Sequence, residues 1–223
     1  MIQVVTIDGP AGAGKSTVAR CLAGRLGWHL LDTGAMYRAV TLAAIRRGVD
    51  LRSEGALADL VGSIAVVVQK HTVFLDGEAV TAAIRTDEVT QRTRHAADSP
   101  AVRRRLVAWQ RDFAASERNV VTEGRDQGTI VFPHAVCKFF LTADDEERAR
   151  RRHAELVALG EPVDFDEILR RVRRRDEGDK ARSIAPMIPA ADARIVDSTG
   201  LELDAVVTLL ETDVRAHLTP QPG

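Results

Sequence analysis

Apolar residues along the chain fall into two recurring patterns: short continuous runs, and stretches in which they return every three or four positions. Residues 2–7, apolar except for Gln3 and Thr6, form a run of strand length. Val18, Ala19, Leu22, Ala23 and Leu26 then share one face of a helix that stops at Gly27. His29-Leu30-Leu31 reads as a second short strand ending at Asp32-Thr33-Gly34. Met36, Ala39, Val40, Ala43 and Ala44 mark the next helix, which ends at Gly48, and residues 54–63 read as another. Ser99-Pro100 supplies an N-cap followed by proline at the first helical position, and Val102, Leu106 and Phe113 give that helix its buried stripe. Residues 120–122, 136–141 and Arg194–Asp197 are three further strands. The last helix packs through Leu203, Val206, Val207, Leu210 and Val214. Strands that alternate with helical crossovers predict an α/β domain built on a parallel sheet.

Two stretches break this rhythm. Residues 64–68 and 72–75 are strand-like, and Asp76-Gly77 before Glu78-Ala79-Val80 is a hairpin signal. They predict an antiparallel insertion from about 63 to 98 that closes with a helix beginning near Glu88; an edge extension of the main sheet is the alternative. Further on, Asp144 opens a helix carrying Arg148, Arg150, Arg151 and Arg152. Asp144 with Arg148, Glu146 with Arg150 and Glu147 with Arg151 are i,i+4 pairs, each worth about 0.2 to 0.5 kcal/mol. A second cluster (Arg170, Arg171, Arg173, Arg174, Arg175) follows a turn at Gly160-Glu161-Pro162. Two such helices joined by a short turn are poor core material and read as a mobile flap. Asp176, Asp179 and Arg182 lie just beyond, and the tail at 219–223 reads as disordered.

A chain of 223 residues is long enough for one well-packed core. Its net charge of −1 leaves no overall field to draw it onto nucleic acid. There is no run of eighteen apolar residues and no leader-like start, so neither a membrane span nor a secretion signal is expected, and the cytoplasm is the expected location. Cys21 in the first helix and Cys137 in an apolar strand suit reduced core thiols better than a disulfide or a metal site.

The candidate chemistry begins at Gly9-Pro10-Ala11-Gly12-Ala13-Gly14-Lys15-Ser16-Thr17, which fits G-x-x-x-x-G-K-[ST] between a strand and a helix. Its glycines let backbone N–H groups turn inward toward phosphates, and the helix start adds partial positive charge. Lys15 can reach the outer phosphates, and Ser16 can offer its hydroxyl to Mg²⁺. Thr33, Tyr37 and Arg38 lie just past a strand's carboxyl end, the edge where open α/β sheets bind ligands. Arg103, Arg104 and Arg105 sit in a helix's first turn, where positive charge opposes the dipole, so they are either compensated by an anion or solvated. In Glu123-Gly124-Arg125-Asp126-Gln127-Gly128-Thr129, Arg125 and Asp126 are either a structural ion pair or, as their position favours, a ligand clamp. A phosphate loop with a second, arginine-rich site suits phosphoryl transfer, which needs positioning and charge stabilisation. A GTPase or motor is disfavoured because no N-K-x-D motif follows. A nucleotide-regulated interaction module is the reading from another class, and nothing in the sequence favours it.

With these motifs the chain resembles the bacterial cytidylate (CMP) kinases of the nucleoside monophosphate kinase group, over residues 1 to about 215. The resemblance rests on the phosphate loop, Leu31-Asp-Thr-Gly-Ala-Met-Tyr-Arg38, Ile84-Arg-Thr-Asp-Glu-Val89, the Glu123 to Thr129 motif, Phe139-Phe-Leu-Thr142 and Arg175-Asp-Glu-Gly-Asp-Lys-Ala-Arg182. It implies a three-layer P-loop kinase domain over 1–218 with a five-stranded parallel sheet of order 2-3-1-4-5. The core would be 1–62, 99–143 and 183–218, with an antiparallel CMP-binding insertion at 63–98 and a helical lid at 144–182. The implied reaction is direct phosphoryl transfer from ATP, with Mg²⁺, to CMP and dCMP, by a monomer with no nucleic-acid or membrane partner; another monophosphate such as UMP is the alternative acceptor. Residues 9–17 would hold ATP. Arg38, Arg125 and Arg182 would hold the CMP phosphate, and Asp179, oriented by Arg175, the sugar hydroxyls beside Thr33 and Tyr37. Arg103 and Asp126 would read cytosine, whose exocyclic amine uracil lacks, and Arg151 and Arg152 would neutralise the transferring group. Two positions depart from the pattern. Arg94, beside His95, stands where a small hydroxyl residue often contacts the base, and Gln127 where an apolar residue is usual, a change expected to be tolerated next to a polar pocket.

Overall fold

The structure, a computed structural model, describes residues 2–69, 72–158, 160 and 163–218. The expected tail at 219–223, and Glu161 and Pro162 of the expected turn, lie outside the described residues. The chain begins β1 (Gln3–Asp8), α1 (Lys15–Leu26), β2 (His29–Asp32), α2 (Thr33–Arg46), α3 (Glu54–Ser63). Next come β3 (Val66–Gln69), β4 (Thr72–Leu75), β5 (Glu78–Ala79), α4 (Asp87–Asp98) and α5 (Pro100–Glu117). The rest is β6 (Asn119–Glu123), β7 (Cys137–Thr142), α6 (Asp145–Ala158), α7 (Phe165–Lys180), β8 (Arg194–Asp197) and α8 (Leu203–Leu218). Contacts divide the chain into two compact units, Met1–Leu30 with Arg118–Gly223, and Leu31–Glu117.

The first unit is built on a sheet of order β2-β6-β1-β7-β8. Counted among these five strands alone, that order is 2-3-1-4-5. The registers Val5 with Val121, Val5 with Cys137 and Phe140 with Ile195 are all parallel. β1 is buried from Val4 to Asp8, on both faces of the sheet, so its apolar residues Val4, Val5 and Ile7 do not alternate with exposed polar ones. α1 and α8 bury Val18, Leu22, Val206, Val207, Leu210 and Val214 against Val5, Ile7, Phe139 and Leu141 of the sheet. Leu203, expected in that stripe, is 42% exposed at the first residue of α8. α1 ends where Gly27, at φ 68°, turns its N–H back to the carbonyls of Ala23 and Gly24, a left-handed cap suited to glycine.

α6 and α7 correct the reading of the arginine-rich helices as poor core material. They share a seam of Ala149, Leu156, Ile168 and Val172, lined by Val163, Phe165 and Leu169. The arginines are numerous enough to mask this stripe in the sequence. α6 starts at Asp145, one residue later than expected, with the Asp144 carbonyl accepting from the Arg148 N–H.

In the second unit, β3, β4 and β5 form a separate antiparallel sheet, not an edge extension of the main one. Asp76 and Gly77 both have positive φ, 50° and 85°, as a tight two-residue hairpin requires, and Asp76 Oδ1 accepts from the Ala65 N–H at 2.8 Å. Capping fixes the helix starts. Asp32, Ser53, Thr86 and Ser99 accept from the N–H groups of Ala35, Ala56, Val89 and Val102. The buried stripe of α5 runs Val102, Leu106, Gln110 and Ala114; Phe113 is only half-buried, because the buried row advances four residues at a time and passes beside it.

Candidate active site

The phosphate loop leaves β1 at Gly9, whose φ is 142°. A Cβ there would lie 2.0 Å from the Leu141 carbonyl oxygen, so the loop runs hard against β7 and only glycine fits. Gly12 and Gly14 are left-handed, at φ 78° and 86°. Lys15 begins α1, is 5% exposed, and donates from Nζ to the Pro10 carbonyl at 2.7 Å. Burial, reinforced by the charge of Arg125, pushes its pKa down to about 7. Ser16 donates from Oγ to Oε1 of the buried Glu123 at 2.9 Å, and Thr17 is exposed. Glu123 was legible only as part of a motif; its place at the end of β6 brings it to Ser16.

The same unit gathers a second group. Arg125 Nε lies 3.0 Å from Asp179 Oδ2, and Arg182 Nη2 lies 2.8 Å from Asp179 Oδ1. Burial opposes the Asp179 charge, but Arg125, Arg182 and Arg175 outweigh it and hold the carboxyl below its usual range. Arg175, expected to orient Asp179, adds charge to it, and the two arginines expected at the acceptor phosphate, Arg125 and Arg182, make short contacts with it. Asp126 is buried and precedes a single π-helical turn, Gln127–Val131, that the sequence did not announce. Gln127 is 1% exposed, and its Oε1 accepts from Thr122 Oγ1 at 3.0 Å. Its side-chain oxygen is thus satisfied although buried.

Arg148 is the residue the sequence misplaced. Expected as an i,i+4 partner of Asp144, it is 2% exposed and pairs with Asp145 and, at 2.6 Å, with Asp176. It also donates to the carbonyls of Ala143 and of Ala11 in the phosphate loop, both at 2.9 Å. The one signal available was its adjacency to Ala149 on the apolar seam. Of the other expected helix pairs, Glu147 with Arg151 forms at 3.0 Å, while Arg150 turns to Glu147 instead. Arg151 donates to the Ser198 carbonyl at 2.9 Å, and its Nη1 lies 3.8 Å from where a Cβ on Gly14 would stand, so it borders the phosphate loop. Arg152 is paired with Glu155 at 3.0 Å in a half-exposed position.

Within the second unit, Thr33, Tyr37 and Arg103 are buried, and Arg103 Nη1 donates to the Tyr37 hydroxyl at 3.4 Å. Arg38 is half-buried, its Nη1 3.7 Å from where a Cβ on Gly34 would stand. The three arginines opening α5 part company: Arg103 is buried, Arg104 exposed, and Arg105 stacks on the Trp109 ring with its guanidinium carbon 4.7 Å from the centroid. Arg94 is exposed on α4; burial of its neighbour His95, with the charges of Arg94 and Arg52, disfavours the imidazolium.

A glycine-rich loop between β1 and α1 of a parallel sheet, ending in Lys-Ser and bordered by arginines, defines a P-loop kinase. A gluconokinase from Sinorhizobium meliloti 1021 shares the fold at a TM-score of 0.51 and 15% identity, covering 96% of this chain and 92% of that one. The chain belongs to the cytidylate kinase family, whose profile matches residues 5–215. It is 47% identical over 215 residues to the cytidylate kinase of Mycobacterium leprae (strain Br4923), covering 96% of this chain and 93% of that protein. It is 48% identical over 217 residues to that of Pelotomaculum thermopropionicum, covering 95% and 96%. Among the described residues, no helix is long and apolar enough to cross a membrane.

Proposed function

We propose that this chain phosphorylates CMP and dCMP with ATP. An oxygen of the acceptor monophosphate attacks the γ-phosphorus, the bond from that phosphorus to the bridging oxygen of ADP breaks, and CDP or dCDP leaves with ADP. The observation that carries this reading is the phosphate loop and the Arg125–Asp179–Arg182 cluster standing in one compact unit of a cytidylate kinase family member.

Residues 9–17 take the ATP phosphates, with Lys15 leaving the Pro10 carbonyl for the outer ones. Arg38, Arg125 and Arg182 hold the acceptor phosphate. Asp179, beside Thr33 and Tyr37 in role, takes the sugar hydroxyls; a bond to the 2′-hydroxyl favours the ribonucleotide. Arg103 and Asp126 read cytosine, Asp126 accepting from the exocyclic amine. Arg151 and Arg152 act from the helical lid at 144–182. The Ser16 hydroxyl, held by Glu123, is a hard oxygen donor of the kind Mg²⁺ takes. Bound with ATP, that ion supplies neutralisation of phosphate charge. We place the protein in the cytoplasm as a monomer.

The test is ADP formation from ATP and Mg²⁺ with CMP, dCMP, UMP, AMP or no acceptor. Fast turnover confined to CMP and dCMP is expected, with kcat/KM lowered on the order of 10³ in Lys15→Ala, Arg125→Ala or Arg182→Ala. Equal turnover of UMP would reassign the base pocket, starting from Arg94; no turnover with any acceptor would leave a nucleotide-binding module.

A further inference from the structure

Asp8 ends β1 at 3% exposure, immediately before the phosphate loop, and has no part in the chemistry above. Its carboxylate reaches across to the chain segment after β6. Oδ1 accepts from the Gln127 N–H at 2.9 Å and Oδ2 from the Gly128 N–H at 2.7 Å. These are the first two amides of the π-helical turn that follows Arg125 and Asp126, and a helix start leaves such amides without partners of its own. Asp126 occupies the cap position without making a side-chain cap. The close fit is built in at Gly128, where a Cβ would stand 2.9 Å from Thr6 Oγ1 and 3.4 Å from Asp8 Oδ2.

We propose that Asp8 is a positioning residue for the acceptor: it caps the turn at Gln127–Val131 from a separate strand and thereby fixes Arg125 and Asp126 for the CMP phosphate and base. This rests on the acceptor roles given to Arg125 and Asp126. A carboxylate serves here because it accepts twice and carries the charge a helix start favours. Its protonation replaces one acceptor with an O–H facing an N–H, so the cap is made only by the ionised form.

The setting makes that form titrate in reach of experiment. Burial raises the Asp8 pKa to about 6, against the two amide bonds, which lower it. The charged groups facing it are Asp126 after β6, which raises it, and Lys15 on α1, which lowers it. Lys138 on β7 packs its aliphatic chain near Gly128, with Nζ on the Pro133 carbonyl and Asp192. By linkage the raised pKa makes the folded state bind the proton more readily, so stability falls as pH rises from about 4 to 6, while the cap forms over that same rise. Acceptor binding and fold stability therefore change in opposite directions.

Two measurements test this. In the ligand-free wild type, the backbone amide resonances of Gln127 and Gly128 should titrate together with a midpoint near 6; amides that stay flat between about pH 5 and 7 overturn the cap whatever the substrate is. In kinetics, Asp8→Asn keeps the shape but turns an N–H toward an N–H. It should raise KM for CMP on the order of tenfold and leave KM for ATP within about twofold, and the variant-to-wild-type ratio of KM for CMP, from which the substrate's own phosphate ionisation cancels, should fall toward one below about pH 5, where the wild-type cap is protonated as well. An equal rise in both KM values, or a KM ratio for CMP independent of pH, overturns the proposal. If the amides titrate but Arg125→Ala and Asp126→Ala leave KM for CMP unchanged, the cap stands, and the acceptor roles, and with them this positioning role, fail.

Discussion

Removing the Arg148 guanidinium is the sharpest test of how the phosphate loop is supported. Arg148→Met keeps the aliphatic volume beside Gly12 and deletes the charge together with its bonds to Asp145, Asp176, Ala143 and Ala11. Asp176 is then left buried and unpaired, and burial already disfavours its ionised form even with Arg148 alongside. Breaking a buried pair in this way costs about 3 to 5 kcal/mol, whereas an exposed pair such as Arg150 with Glu147 is worth under about 1 kcal/mol. The expected result near neutral pH is a large drop in the denaturant midpoint for Arg148→Met and almost none for Arg150→Met.

The pH dependence follows from the same charge. Without the arginine the Asp176 pKa rises further, so the folded state holds its proton up to a higher pH than in the wild type. The stability deficit should therefore shrink toward about pH 5 and grow as pH rises. Arg148→Met combined with Asp176→Leu should recover most of the loss, since an apolar pair can replace a buried ion pair at little cost. A deficit below about 1 kcal/mol in the single variant, or one independent of pH, would refute the reasoning.

Two further outcomes can be checked simply. Gly9→Ala drives a Cβ to 2.0 Å from the Leu141 carbonyl in a backbone region side chains rarely adopt, so a loss of about 2 to 5 kcal/mol and of ATP affinity is expected; a wild-type denaturation midpoint would show that the loop has room to move. Burial, with Asp213 nearby, pushes the Cys137 thiol up to about 11, leaving a thiolate fraction on the order of 10⁻³ at about pH 8. Iodoacetamide should label Cys21 well before Cys137 in the native protein and both alike in denaturant, with peptide mapping as the readout.

Several features were legible because their causes are local. β1 reads as a buried strand from six consecutive residues, Asp76-Gly77 as a hairpin from two, and the phosphate loop from nine whose spacing mirrors the phosphates they cradle. α3 and β8 fall where the pattern puts them, since a cap or an apolar run fixes each. The π-helical turn after Asp126 was not legible, because its first amides are capped by a residue on β1 and not by a neighbour.

By itself, then, the sequence determined the alternating strand and helix segments of an α/β domain, the loop built for phosphate and the antiparallel insertion, each announced by a pattern within a few residues, while the pairing of the parallel strands joins residues as far apart as Val5 and Val121. The tertiary structure alone decided which charges are buried and paired. Asp8 finds its amides 119 and 120 positions away, Arg148 its loop carbonyl 137 away, and Arg125 its carboxylate 54 away. Arg148 and Arg150 are the same residue type two positions apart on one helix, yet one is locked in the interior and the other lies at the surface. Which of them becomes structural depends on the seam between α6 and α7 and on the loop that this seam presents to Arg148, and periodicity obscured by so many arginines cannot specify that.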